Sequence, residues 1–518
     1  MQVILAGMNV DMDTLDEFRD LAARAEEFLS RDNPEEPRRA ELRQALREFL
    51  DRRNITPETI SAAYARISRD PRPVDELRRV ARLELDRARK SNEKIIFGLG
   101  HASVAEHAVF NLDILGISRL AAEFVERFRL CSYTEKSQRY ITLEGDFVTP
   151  VELLGTPLED EFLAAVEVQT RAYFRFYERL KEYFDRGFPE LAARAEGRRT
   201  LDGWAKEDAR YGLSLAVQTQ LGMTANARNL ERILQQAAAH PLAEIQEFGR
   251  RLFRVVQGVA PSLIKYTDAD AYHRLGLPVL REAIRRSAAA SAGPEPGEAA
   301  GEPVCRLADP GALQEERILA GLAYEVLGRP LRDDRAWADG LGDDPVRQLV
   351  SVLAEHLESY HSLPRAFELA GAAFECAVSA SCFAQLKRHR MGTLLVQEYD
   401  PRLGITVPPS LQAVGLEAEL REVAARSEEA HRRIRESAPE AAAYVLTNAH
   451  RRRVLLQLNF REMAHFARLR MDGHAQWDIR DLAGRMTEAL RERMPRLGAL
   501  LCGKDTWPEV KKSLVQTS

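Results

Sequence analysis

Apolar residues recur three and four positions apart along most of this chain. The segment from Leu77 to Leu85 shows this spacing, which is the period of an amphipathic helix. Shorter alternating or β-branched stretches, at 108–115 and 140–143, predict strands. The first stretch leads to Ser118, which we expect to cap a helix that runs to Arg127. The pattern therefore predicts a helix-rich protein with a few short strands.

A run rich in alanine, glycine and proline interrupts this pattern. Such a composition has little apolar surface to bury and is typical of a linker. It predicts a first domain at 1–286, a linker at 287–304 and a second domain at 305–518. A chain of 518 residues with 45% hydrophobic content is long enough for sizeable cores in each part.

The net charge and the cysteine content argue against several classes of protein. The net charge of −5 provides no global basic field for nucleic acid or an anionic membrane. The cysteines are odd in number and show no C-x-x-C spacing, which argues against a disulfide framework and structural zinc. We expect them to be small, buried apolar residues. They are Cys131, Cys305, Cys376, Cys382 and Cys502. Without a basic, apolar leader or a long apolar stretch, the chain is predicted to be soluble and cytoplasmic.

Two blocks of sequence occur twice in the same order. Arg127 and Arg129, followed by a turn rich in hydroxyls and carboxylates, recur as Arg388 and Arg390. Paired cations at a helix end suit a phosphate ester, although a lone pair of this kind is usually a solvated face. The second block, at 226–246, recurs at 459–480. The shared order indicates a duplicated domain rather than a short-period repeat.

The repeated blocks resemble the flavin-dependent thymidylate synthases. That family reads R-H-R-x-x-S-x-N-E-x-S-x-R-Y in its signature and N-A-R-S-L, L-R and H-A-Q-W-E-I-R near its C-terminus; its upstream element matches 100–107. The resemblance covers 50–285 and 310–500. It implies an α/β fold of the α+β type, with two tandem domains forming a pseudo-dimer. It also implies a homodimer that imitates the family tetramer.

The resemblance further implies the reaction. The family converts dUMP to dTMP with FAD as cofactor and with NADPH and methylenetetrahydrofolate as co-substrates, and it needs no cysteine nucleophile. In the early half, the residues that match the family's dUMP-binding positions are Glu135, Ser137, Gln138, Arg139 and Arg210. The early half departs from the family pattern where the family has Gln, His, Asn and the catalytic Arg. The departures are Phe124, Phe128, Thr134 and Ala237.

The late half keeps the complementary positions. Arg470 matches the arginine that favours ionisation of the uracil N3, and Gln385 and Arg388 match dUMP-contacting residues. The flavin-contacting positions are matched by Arg388, His389, Arg390, Asn459, Arg461, His465 and His474, together with His101, Ser103 and Glu106 of the early half. No metal site is predicted, because H-x-x-x-x-E-H at 101–107 lacks the spacing of known zinc helices. The late turn at 394–401 has lost its Ser and Arg, and Ala443 replaces the second phosphate arginine.

Each half has lost family residues that the other half keeps. One hybrid site, built from the early turn and the late R-H-R helix, would be complete, whereas the reciprocal site would lack both parts. This predicts an active enzyme. The alternatives are a catalytically degenerate flavin- or nucleotide-binding paralogue and, less favoured, an all-helical interaction protein with exposed arginines.

Overall fold

The computed structural model describes residues 1–29, 36–51, 55–139, 145–290, 304–309 and 313–516. The strands are β1 Gln2–Met8, β2 Val109–Ser118, β3 Ser132–Glu135, β4 Gln218–Asn226, β5 Cys305–Asp309, β6 Gly371–Ser379, β7 Thr393–Tyr399 and β8 Arg451–Asn459. The α-helices are α1 Met12–Leu29, α2 Glu36–Asp51, α3 Glu58–Arg66, α4 Val74–Leu83, α5 Leu85–Glu93, α6 Arg119–Glu126, α7 Pro157–Gly187, α8 Pro189–Ala192, α9 Ala195–Ala209, α10 Ala227–Ala238, α11 Ala243–Gln257, α12 Leu277–Ala290, α13 Glu315–Leu327, α14 Leu331–Asp339, α15 Asp343–His356, α16 Ala380–Leu386, α17 Pro409–Ala413, α18 Glu417–Ser437, α19 Phe460–Arg470, α20 Trp477–Arg493 and α21 Trp507–Gln516. The prediction of a helix-rich α+β fold is confirmed.

The strands form two antiparallel sheets with the same order. The first is β1-β2-β4-β3 and the second is β5-β6-β8-β7. Each strand occupies the corresponding place in its sheet, as a duplicated domain requires. The duplication read from the sequence blocks is therefore repeated in the topology.

The chain divides into two compact units. Unit 1 comprises 1–136, 146–154 and 218–293, and unit 2 comprises 137–145, 155–217 and 294–518. These units differ from the sequence ranges 1–286 and 305–518, because two early segments belong to unit 2. The ranges 1–286 and 305–518 stay a prediction for the two duplicated domains. They do not describe the two compact units.

Unit 1 contains the first sheet with α1–α6 and α10–α12. The strand predicted at 108–115 is β2, and Ser118 caps α6 by accepting a hydrogen bond from the Ala121 amide at 3.0 Å. Both predictions are confirmed, as is the end of α6 at Arg127. The helix predicted over 77–85 ends at Leu83, since the non-helical backbone of Glu84, with φ −122° and ψ 58°, separates α4 from α5. The strand predicted at 140–143 lies outside the described residues.

Unit 2 has two cores. One packs the second sheet against α13, α15, α19, α20 and α21 through buried side chains such as Phe374 and Phe466. The other packs early helices α7 and α9 against late α17 and α18. Tyr173, Phe176 and Leu420 are fully buried in this core. Early and late residues also pair directly, because Ser214 forms an antiparallel bridge with Thr447. The apolar stripes of α7 and α9 therefore fix the early segments to the late half.

Two sequence features take a different form in the structure. Residues 287–290 of the predicted linker continue α12, because alanine is the strongest helix former, while 291–303 lie outside the described residues. The late segment expected to be a turn is strand β7 followed by a single turn at Pro401–Leu403. No helix in the described part of the chain is both long and apolar enough to cross a membrane.

The cysteines are free thiols, and all except the half-buried Cys305 are buried. Their predicted role as small buried residues is confirmed for those four. Cys305 and Cys376 face each other across β5 and β6, with their sulfur atoms 3.4 Å apart.

Candidate active site

Two early arginines meet at Glu207, at the end of α9. The Arg139 guanidinium forms an ion pair with the Glu207 carboxylate. Arg210 Nε donates to the backbone carbonyl of the same residue at 3.2 Å. Ser137 stabilises the turn before them, since its hydroxyl accepts a hydrogen bond from the Arg139 amide at 3.2 Å. Three predicted dUMP-binding residues, Ser137, Arg139 and Arg210, are thus brought together.

Asn448 of the late half joins the fourth member of this group. Its Nδ2 donates to the Arg210 carbonyl at 3.0 Å and lies 3.5 Å from Gln138 Oε1. The Gln138 amide is 4% exposed, and its Nε2 has no hydrogen-bond partner among the described residues. A buried N–H donor without an acceptor is costly, so this one suits a ligand oxygen.

The late half holds Arg470 at the end of α19. Its Nη1 donates to Gln385 Oε1 at 3.0 Å, its Nη2 to the Gln385 carbonyl at 3.3 Å, and its Nε to His389 Nε2 at 2.9 Å. The Gln385 carbonyl belongs to the C-terminal turn of α16, where a cation is electrostatically favoured. The guanidinium is therefore fixed in one orientation by a helix end and an imidazole.

Arg470 lies in a cationic environment. Burial, the largest effect, together with repulsion from Arg388 and Arg139, lowers the pKa of Arg470 to about 10. It remains charged at neutral pH. The early Arg139 also contacts the late half directly, because its Nη2 donates to the His474 carbonyl at 3.1 Å. The early and late groups thus form one cluster inside unit 2, and mutually repelling guanidinium groups of this kind favour a bound anion.

His389 connects Arg470 to Glu462. Burial, the largest effect, and repulsion from Arg470 outweigh the Glu462 carboxylate and lower the pKa of His389 to about 4, so the ring is neutral at pH 7. Because Nε2 accepts from Arg470, the proton resides on Nδ1, which lies 3.4 Å from Glu462 Oε1. Nothing in the family signature pointed to Glu462.

A buried polar network supports both groups. Tyr211, which follows Arg210, donates to Asp478 Oδ2 at 2.8 Å, and Ser379 Oγ donates to the same oxygen at 2.5 Å. Ser379 also caps α16, the helix that carries Gln385. Burial raises the pKa of Asp478 and of Tyr211. The segment that contains Arg210 is thereby tied to α16, the helix whose Gln385 accepts from Arg470.

A second link crosses between the same segments. Trp477 Nε1 donates to Asp208 Oδ1 at 2.7 Å, and the Trp477 ring stacks on Tyr211 with centroids 5.8 Å apart. Burial raises the pKa of Asp208 to about 6. These contacts join residues more than 200 positions apart, so local sequence patterns gave no indication of them.

The predicted flavin residues of the late half divide into two groups. Asn459 caps α19 by accepting from the Glu462 amide at 2.8 Å, and Arg461 donates to the Leu363 carbonyl and to Glu368 Oε1, both at 2.7 Å. Of the others, Arg388, His465 and His474 are exposed and Arg390 is half-buried. The His465 ring centroid lies 6.0 Å from that of His389.

The upstream flavin element lies in unit 1. His101, Ser103 and Glu106 occupy or flank the short 3-10 helix at Ala102–His107, and Glu106 pairs with Arg228 at 2.5 Å. The pair of Glu368 with Arg461 occupies the corresponding place in unit 2. This shared ion pair identifies Glu368 as the late counterpart of Glu106.

Glu135 is also a residue of unit 1. Its carboxylate is paired with Arg119 and accepts from Thr219 Oγ1 at 3.1 Å. These two contacts lie within the first sheet and α6.

The early counterpart of the Arg470 group has become apolar. Phe124 and Phe128 pack edge to face with centroids 5.6 Å apart, and Ala237 occupies the position that corresponds to Arg470. Arg127 lies over the Phe124 ring at 4.3 Å and bonds to Gln236. Unit 1 thus lacks, among its described residues, the guanidinium held by glutamine and histidine. The described residues of the whole chain also contain no group of three or more candidate metal ligands.

Both halves of the chain are similar in sequence to known proteins. The profile of the family described as thymidylate synthase complementing protein matches residues 52–262 and 332–496. A flavin-dependent thymidylate synthase of Geobacter sulfurreducens is 32% identical over 215 residues, which is 40% of this chain and 81% of that protein. A UPF0159 protein of Chlamydia muridarum is 24% identical over 435 residues, covering 81% of this chain and 82% of its own length.

Among solved structures, the chain is similar to the UMP/dUMP methylase PolB from Streptomyces cacaoi, bound with 5-Br dUMP. That likeness has 17% identity and a TM-score of 0.31, and it covers 40% of this chain and 87% of the other. The two profile matches fall one in each repeated half and together span more than half of the sequence. The chain therefore belongs to the thymidylate synthase complementing protein family, with one family segment in each half.

Proposed function

We propose that this protein is an FAD-dependent thymidylate synthase that converts dUMP to dTMP, with methylenetetrahydrofolate as carbon donor and NADPH as reductant. The observation that carries the proposal is the arginine cluster of unit 2. Arg139 and Arg210 of the early half meet at Glu207. Arg139 also donates to the His474 carbonyl of the late half, and its charge lowers the pKa of Arg470. Family membership supports the same reaction class.

The early turn would bind the nucleotide phosphate. A dianionic phosphate needs charged donors of fixed geometry, and Arg139 and Arg210 provide two guanidinium groups held by Glu207. Ser137 adds a hydroxyl, and Gln138 Nε2 adds a buried donor for which the described residues provide no acceptor. These residues bind and orient the substrate.

Arg470 would act at the pyrimidine. Its guanidinium, held by Gln385 and His389, is positioned to stabilise negative charge that develops at uracil N3 and O4. Carbon 5 then becomes nucleophilic without a covalent bond to the protein. This agrees with Cys382, the thiol nearest this group in sequence, whose pKa is raised well above its usual range by burial.

The donor set of the late half fits a flavin dinucleotide. Arg388 and Arg390 offer cations for its pyrophosphate, while His465 and His474 offer exposed imidazoles. Asn459 and Arg461 fix the start of α19, from which His465 projects. When bound, FAD would supply the hydride chemistry, and the protein residues would orient the partners and exclude water. We further propose a cytoplasmic homodimer of two-domain chains.

Purification of the full chain with added FAD tests the proposal. We expect a yellow protein that NADPH bleaches and that forms dTMP from dUMP and methylenetetrahydrofolate, whereas the Arg470→Ala variant should form almost none. Binding of flavin and dUMP without dTMP formation would instead establish the degenerate paralogue. Absence of both flavin and dUMP binding would favour the interaction protein.

A further inference from the structure

We propose that Glu462 is a positioning residue that orients the Arg470 guanidinium through His389. The inference rests on the proposed function, in which Arg470 is catalytic, and it adds a residue that the sequence comparison did not assign. Glu462 and Arg470 occupy opposite ends of the same helix, α19, and the imidazole of His389 bridges them.

An acidic residue at the position of Glu462 has a simpler explanation. Carboxylates in the first turn of a helix are favoured by the helix dipole, and after a capping residue they often bond back to the backbone. Here the Glu462 amide donates to the Asn459 side chain at 2.8 Å, which completes the cap. The Glu462 carboxylate, however, lies 3.4 Å from His389 Nδ1, so it contributes a contact beyond capping.

The hydrogen bonds fix the tautomer of His389. An arginine can only donate, so His389 Nε2 must carry a lone pair toward Arg470. The ring proton is then on Nδ1, and Glu462 Oε1 is the acceptor that it faces. The imidazole side chain is 3% exposed, so water cannot readily replace that acceptor.

Removal of the Glu462 carboxylate would therefore act at a distance. A buried Nδ1–H without an acceptor favours transfer of the proton to Nε2. Two donors, Nε2–H and the Arg470 Nε–H, would then face each other across a 2.9 Å contact. The guanidinium would be pushed out of the orientation that Gln385 and His389 define.

The early half provides an internal comparison. The positions that correspond to His389, Arg470 and Glu462 are Phe128, Ala237 and Asn229. Asn229 directs its side-chain amide at Asn226, at 2.8 Å, as part of its own helix cap. The acceptor, the imidazole and the guanidinium are absent together in one half and present together in the other, as expected if they work as one unit.

Two variants separate the hydrogen-bond acceptor from the charge. Glu462→Ala removes both, while Glu462→Gln keeps an oxygen that accepts from Nδ1–H. We expect kcat of Glu462→Ala to fall about tenfold or more, with the Kd for dUMP changed by less than about threefold, because the phosphate contacts remain. Glu462→Gln should recover kcat to within about threefold of the unchanged enzyme. Glu315→Ala, which breaks the buried pair of Glu315 with Arg496 in the same unit, controls for general destabilisation.

The tautomer is measured directly in the FAD-loaded full chain labelled with nitrogen-15 histidine. The His389 resonances are assigned by their loss in His389→Asn. The unchanged protein should show a protonated Nδ1 and an unprotonated Nε2, and Glu462→Ala should reverse this pattern. An unchanged tautomer or unchanged kcat in Glu462→Ala, or equal impairment of the Ala and Gln variants, would overturn the proposal. Because the tautomer requires no turnover, failure of the wild type to make dTMP would refute the proposed function while the spectra still decide the role of Glu462.

Discussion

Arg139→Ala is expected to weaken dUMP binding through two separate effects. The first is loss of a charge-assisted hydrogen bond to the phosphate, which contributes about 1.5–3 kcal/mol. The second arises from Glu207, whose side chain is 9% exposed and loses the cation that neutralises it. An unpaired carboxylate beside the site repels a dianion, so the total should lie near the upper value, about 3 kcal/mol or roughly a hundredfold in Kd.

A double variant separates these effects. Arg139→Ala with Glu207→Gln removes the attraction and the repulsion together, so it should bind dUMP more tightly than Arg139→Ala alone. Isothermal titration of dUMP into the FAD-loaded protein measures all three Kd values. Rising salt should reduce the difference between wild type and Arg139→Ala, because the interaction lost is electrostatic.

The late segment supplies the matched control. Asp400 pairs with Arg402 at 2.8 Å and caps the short turn at Pro401–Leu403, so Asp400→Ala removes a comparable ion pair. Its dUMP affinity should remain unchanged. Unaltered affinity in Arg139→Ala would refute the assignment of the phosphate to the early turn. A double variant weaker than the single would show that Glu207 does not act by repulsion.

The remaining predictions concern catalysis, assembly and stability. Arg470→Ala should lower kcat by about 10²–10³ with little change in the Kd for dUMP, as measured by steady-state dTMP formation and titration, because its charge acts on the transition state. Mixing Arg470→Ala with Arg139→Ala should restore no activity, because both residues lie in one unit of one chain; recovered turnover would contradict this. Ser379→Ala should cost about 2 kcal/mol in urea unfolding, since it removes a helix cap and a donor to Asp478. The raised pKa of Asp208, about 6, means that the folded protein binds this proton more tightly than the unfolded chain, so stability should fall as pH rises from about 4 to 6. Asp208→Asn should abolish that fall and gain on the order of 3 kcal/mol at pH 7; an unchanged pH profile of the unfolding free energy would refute it.

The sequence predicted the helix cap and the strand, because both depend on residues that are neighbours in the chain. Ser118 was identified as a cap because a hydroxyl before an apolar period satisfies the first amides of a helix. The alternation at 108–115 likewise identified β2. The helix boundary at Glu84 was missed, because nothing in the apolar spacing marks the break between α4 and α5.

Long-range partners could not be predicted in the same way. The contacts of Glu207, Asn448 and Glu462 depend on which surfaces pack together. The sequence gives no distance between residues hundreds of positions apart. The apolar stripes of α7 and α9 pack on α17 and α18, a contact that no spacing within the sequence specifies. The juxtaposition of Arg139 with Arg470 was anticipated only because complementary losses in the two halves suggested a shared site.

A crystal structure of the FAD-loaded chain with dUMP tests the shared site most directly. We expect one nucleotide with Arg139 at its phosphate and Arg470 of the same chain at its uracil, the two guanidinium groups on opposite sides of the ligand. A dUMP molecule contacted by residues of one half only, with Arg470 remote from the pyrimidine, would contradict it.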